Sequence, residues 1–175
     1  MKSKLLNIFI ITFLVISTLV LTGCNPKEDK SEDTIRGFIE KHYVIDEKDI
    51  EMYHEYVTKG SVPGDKLSED TKEFAEYMTE EGYNDYEAML IFSHRLRQPY
   101  LKKCTVEVEN LNIKEKEKSD DMRRFNISFD WIIKNDKEET VKKHEIDKDI
   151  YLSEEQGNWL INQNNLFEIL DEKDF

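Results

Sequence analysis

A small domain that catalyses by proton transfer needs an acid or base held beside a partner. The candidates here are Asp130, His94, His144 and the tyrosines Tyr53, Tyr56 and Tyr86. Asp130 lies between Phe129 and Trp131 in an alternating segment, so it points to the face opposite its apolar neighbours and is expected in solvent. His144 sits between Lys143 and Glu145, the setting of an exposed strand, and His94 is placed near the end of a helix, where a cation suits the dipole. The four histidines, at 42, 54, 94 and 144, lack the short ligand spacing of a metal site. The acids Asp46, Glu47, Asp49 and Glu51 lack the alternation and glycine of a calcium loop and read as a solvated helix face. No glycine-rich phosphate loop or serine elbow occurs. The expectation is therefore no catalytic residue, no metal site and no cofactor. Of the two cysteines, Cys104 alternates with Val106 and Val108 and reads as a small buried residue.

One cluster stands apart from an acidic background of formal charge −13. Arg95, Arg97, Lys102 and Lys103 lie within nine residues without an acid, together with Tyr100. As a helix end, such a run opposes the negative dipole terminus. As a surface, Arg95, Arg97, Tyr100 and Lys102 form the candidate binding patch for an anionic ligand, a cell-wall polyanion or a protein. Nucleic acid is excluded as a partner, because the overall charge repels phosphates.

Helices come first and strands afterwards, the order of an α+β domain with segregated layers. Asp33 is expected to cap a helix running to about Tyr43, with Ile35, Phe38, Ile39 and His42 or Tyr43 on its apolar side. Asp46 caps the next, carrying Ile50, Tyr53 and Val57. After a loop marked by Gly60, Pro63 and Gly64, a third helix opens at Ser68 and stops at Gly82. A fourth opens at Asn84 and ends before Pro99. The period then changes to two. A parity shift after Val108 predicts a bulge near Glu109-Asn110. Phe125, Ile127, Phe129, Trp131 and Ile133 mark the clearest strand. Asn135-Asp136-Lys137 turns into a strand ending in Ile146, Ile150 and Leu152, and the segment 155–158 turns into Trp159-Leu160-Ile161.

The amino terminus is of another kind. Lys2 and Lys4 precede 17 residues, Leu5–Leu21, in which only Asn7, Thr12, Ser17 and Thr18 are polar. Such a basic start and apolar run is an export signal. It ends in Leu21-Thr22-Gly23-Cys24, which resembles the lipobox of bacterial lipoproteins. The resemblance implies diacylglycerol on the Cys24 sulfur, cleavage between Gly23 and Cys24, and palmitate-type acylation. Residues 1–23 are then a signal peptide, 24–32 an acylated cysteine with a flexible tether, and 33–175 one α+β domain. Cleavage removes two lysines and no acid, taking the formal charge to −15. The partner so implied is a lipid bilayer, reached through Cys24 on the extracytoplasmic face of the cell membrane.

Amino-terminal helices, long antiparallel strands and a final Gly157-x-Trp159-x-Ile161 strand resemble the nuclear transport factor 2-like cone fold of small Gram-positive lipoproteins. The resemblance spans roughly residues 33–165 and implies helices packed on a curved antiparallel sheet of three to four long strands. A cystatin-like sheet around one helix is the other arrangement compatible with this order. The functional expectation is a membrane-tethered, non-enzymatic binding or interaction module for a protein, peptide or cell-envelope ligand. The alternatives are an immunity or envelope-accessory lipoprotein and a pocket enzyme of the cone fold. The last requires an acid or histidine buried beside aromatic side chains.

Overall fold

The computed structural model describes residues 29–59, 70–162 and 170–174. The signal run, the cleavage pair Gly23 and Cys24, the loop glycines and the Ser68 helix start lie outside them. The described chain is α+β, with its helices amino-terminal to a four-stranded antiparallel sheet of order β1-β2-β3-β4.

Helix α1 spans Ser31–Tyr43 and buries Ile35, Phe38, Ile39, His42 and Tyr43, the stripe expected from its spacing. It begins two residues before the expected cap at Asp33. Ser31, assigned by sequence to the tether, is buried, because Asp29 and Ser31 both bind Arg123 of the sheet. Helix α2 spans Glu47–Thr58 and opens with the capping arrangement anticipated at Asp46. The Asp46 carboxylate accepts the backbone N–H groups of Lys48 and Asp49 (2.8 and 3.0 Å), and Asp49 accepts that of Asp46 (3.3 Å).

The region after residue 70 departs from expectation. A short 3₁₀ turn, Lys72–Phe74, precedes helix α3, Glu80–Ala88, which is capped by Thr79. Gly82 therefore stands inside a helix and does not end one. A Cβ there would lie 3.1 Å from the Ile161 carbonyl oxygen and 3.3 Å from Thr79 Oγ1. The glycine allows α3 to approach the last strand. Helix α4, Ile91–Lys102, continues past Pro99, which is itself buried, and is closed by Lys103 in a left-handed conformation (φ 53°). Leu90 before it is also left-handed (φ 53°), so the α3–α4 corner is tight.

The sheet follows its alternation closely. Strands β1 (Thr105–Lys118), β2 (Met122–Lys134), β3 (Thr140–Glu155) and β4 (Asn158–Ile161) form the expected meander. Phe125, Ile127, Phe129, Trp131 and Ile133 of β2 are all buried, with Ile146, Ile150 and Leu152 of β3. The register of β1 on β2 shifts between Glu109 and Asn112, where Asn110 has φ 56°, and this is the bulge the parity change required. Beyond it β1 ends in Lys114–Lys118, and charge of this kind discourages pairing at a sheet edge. The helix and sheet layers join at an aromatic node. The Tyr43 ring meets Phe129 and Trp131 edge-on at 4.9 and 5.3 Å, and Trp131 Nε1 donates to the Tyr43 carbonyl at 2.9 Å.

Candidate functional site

The basic patch does not survive folding as one surface. Arg95 is only 4% exposed. Its spacing in α4, three residues after Phe92 and one before Leu96, places it in the buried stripe. There Nη1 donates to the carbonyls of His42 and Val44 at 3.3 and 3.2 Å, and Nη2 pairs with Asp49 Oδ1 at 3.3 Å. One guanidinium thus caps the carboxyl end of α1, where the dipole is negative, and grips the first turn of α2. Phe92 covers it, 5.1 Å from ring centre to Cζ. Burial pushes the Asp49 carboxyl up, and the charge of Arg95 opposes that rise.

Arg97 and Lys102 remain exposed. Tyr100 is half-buried and reaches across to α2, where its hydroxyl lies 2.9 Å from His54 Nδ1 and its ring meets Tyr53 edge-on at 5.3 Å. Burial raises the Tyr53 phenol, and the charge of Arg97 lowers it. The surface cluster is therefore Tyr53, His54, Arg97 and Tyr100, drawn from two helices, with Lys102 in the last turn of α4. In the sequence Tyr53 stands out as a possible pocket group and as an apolar-side residue of the second helix, and His54 only among scattered histidines. No linear spacing joins α2 to α4, so their meeting was invisible.

The other candidates also move. His94 is in the first turn of α4 and not at its end, so a cation there would oppose the dipole. His144 pairs in register with Trp131 and so shares the inner face, contrary to the exposed setting its charged neighbours suggested. It borders a recess of ≈300 Å3 with Trp131, Ile146 and Leu170. Its Nε2 lies 3.2 Å from the Asp174 carbonyl oxygen. Asp130 is on the outer face as expected, held by Lys143 (2.8 Å) and Asn110 (2.5 Å), whose contacts lower its carboxyl below the usual range. Tyr56 donates to Asp70, a carboxyl raised by burial and by nearby Glu73. Cys104 is buried, its thiol pushed up to about 11 by burial and moderated by Lys102.

Two further polar groups are buried, His42, expected on the apolar side of α1 only as an alternative to Tyr43, and Arg123, which the sequence did not single out. His42, 1% exposed, stacks on Phe38 and lies 3.3 Å from the Tyr86 hydroxyl through Nδ1. Burial raises the Tyr86 phenol far above its ordinary value. A histidine beside aromatics is what a pocket enzyme of this architecture would need, yet this ring is shut off from solvent by Phe38, Tyr43 and Tyr86. Arg123 continues the inward row of β2. It pairs with Asp29 (2.5 Å) and Ser31 Oγ (2.9 Å), and its Cζ stands 4.4 Å over the Trp159 ring. The guanidinium holds the Asp29 carboxyl down to about 2, against some desolvation. Among the described residues no group of three or more histidine, cysteine or acidic side chains is placed to hold a metal ion. No protein-family model matches this chain, and no curated protein is similar to it in sequence.

Proposed function

We propose that this protein is an extracytoplasmic lipoprotein, anchored through acylated Cys24, whose α+β domain is a non-enzymatic binding module for a protein, peptide or cell-envelope component. The observation that carries the binding reading is the assignment of the buried polar side chains. Arg95 and Asp49 join helix ends, Arg123 fastens the start of α1, and His42 lies closed among aromatic rings. An acid or base so enclosed has no route to a substrate. Anchoring rests on the basic-then-apolar amino terminus and its Leu21–Cys24 box. Among the described residues no helix is long and apolar enough to cross a membrane. The cone-fold likeness is consistent with the order of helices and strands and belongs to the same proposal. Recognition is assigned first to the α2–α4 surface, where Arg97 and Lys102 are exposed beside Tyr53 and Tyr100 on a strongly acidic domain.

The test is capture of a partner from detergent-solubilised envelopes by the purified lipoprotein, using wild type and Arg97→Glu/Lys102→Glu. Capture should fall several-fold on charge reversal and with added salt, since exposed charges are screened beyond about 8 Å at physiological ionic strength. Capture unaltered by reversal would remove this surface from the account. No specific capture at all would overturn the binding reading.

A further inference from the structure

Among the described residues, the hairpin of β3 and β4 leaves part of the last edge without a backbone partner. Strands β3 and β4 are joined by Gln156 and Gly157, both at positive φ (52° and 81°). A two-residue turn of this type makes its flanking residues, Glu155 and Asn158, a hydrogen-bonded pair. Alternation then leaves Trp159, opposite Glu154, and Ile161, opposite Leu152, with backbone groups directed away from β3. Ile161 agrees. Its N–H donates outward to the Tyr77 carbonyl at 2.8 Å, and its carbonyl accepts from Thr79 N–H at 2.9 Å. That parallel bridge, Met78 to Ile161, is the end of the pairing, because residues 75–77 turn away. Two residues earlier, the N–H and C=O of Trp159 point the same way, and no backbone group among the described residues bonds them.

Between this edge and the turn lies a cleft of ≈720 Å3. It is lined by Trp159 and Leu160 of β4, by Ala75 and Glu76 of the turn, and by Lys30 and Thr34 at the start of α1. The volume is within the roughly 300–1,000 Å3 of ordinary ligand sites. The cleft offers an outward donor–acceptor pair on a strand edge, an aromatic and an aliphatic side chain, and one charge of each sign. An extended polypeptide matches all of these together.

We propose that the cleft binds an extended peptide segment of a partner protein, which pairs with Trp159 as a short added strand while Lys30 and Glu76 select its flanking charges. The proposal rests on the binding-module reading and adds the ligand class and a second surface, separate from α2–α4. It also places the peptide near the membrane. Asp29 is fixed by Arg123, which itself covers Trp159, so five Cα-to-Cα steps, with four residues between, separate Cys24 from a fixed point beside the cleft. Fully extended they span about 18 Å at most.

The test is selection of displayed random heptapeptides on the full-length lipoprotein in micelles, with Ala75→Trp as the blocked form. Ala75 is exposed, so the larger side chain fills the cleft without entering the core. Enriched peptides should bind at least tenfold more weakly to Ala75→Trp. N-methylation along a selected peptide should abolish binding at the one N–H that donates to the Trp159 carbonyl and be tolerated at the positions on either side, and Lys30→Glu or Glu76→Lys should shift the charge of the selected sequences. Equal enrichment on both forms, no enrichment, or N-methylation tolerated at every position would overturn the proposal. Enrichment only after deletion of residues 25–28 would give the cleft to the chain's own segment, and this also overturns it. A partner captured from envelopes equally by wild type and Ala75→Trp would remove the cleft and leave the binding module standing.

Discussion

Replacing Arg95 by alanine should destabilise the domain by about 3–5 kcal/mol, the usual cost of removing one partner of a buried charged pair. The loss has three sources. The Asp49 carboxylate is left half-buried without its cation. The carbonyls of His42 and Val44 lose their donor at the carboxyl end of α1. The faces of Phe92 and Phe74 lose the group stacked between them. Arg95→Lys should recover only part of this, because an ammonium cannot serve two carbonyls and a carboxylate with the fixed geometry of a guanidinium. Arg95→Glu should be worse than alanine, since it places a second carboxylate beside Asp49. Urea unfolding followed by far-ultraviolet dichroism measures all three. An alanine variant as stable as the wild type would show that Arg95 belongs to the surface after all.

Trp131→Ala should cost a similar amount, about 3–5 kcal/mol, for a different reason: a large aromatic is removed from a packed interior and the cavity collapses only in part. The indole also donates to the Tyr43 carbonyl and packs edge-on against that ring, so the link between α1 and the sheet is lost with it. Its neighbour gives the control. Asp130 is on the other face of the same strand, and Asp130→Asn should change stability little. Equal losses at 130 and 131 would contradict the assignment of the two faces.

The strands were the most legible part of the chain. In β2, five apolar residues at period two leave one choice of buried face, and the parity change after Val108 can only be absorbed by an extra residue. Asp46 was legible as a cap because its carboxylate is three residues from Asp49. What could not be read was set by contacts between distant segments. Gly82 has the look of a helix stop, and only the nearness of Ile161 explains it inside α3. Flanking charges placed His144 in solvent, whereas the face of a strand residue is decided by register, here opposite Trp131. Sequence alone places Arg95 on the surface and His42 on the apolar side of its helix only as an alternative to Tyr43, and it does not single out Arg123. Each occupies an apolar periodicity, with Phe92 and Leu96, with Ile35 and Phe38, and with Phe125 and Ile127. Polarity drew Arg95 to the surface, while the fold supplies all three with partners that make burial tolerable. The candidate site was accordingly half legible. Arg97, Tyr100 and Lys102 were identified, but their company on α2 was not, and the open edge at Trp159 depends on a register that no local pattern carries.

Metabolic labelling with a radioactive fatty acid tests the proposed lipid anchor most directly. Cells expressing the wild type should yield a labelled protein of mature size. Cys24→Ala should take up no label and accumulate as uncleaved precursor or as protein released from the membrane. Label retained on the alanine variant, or a wild type that carries none, would contradict the anchor and with it the placement of this domain at the membrane surface.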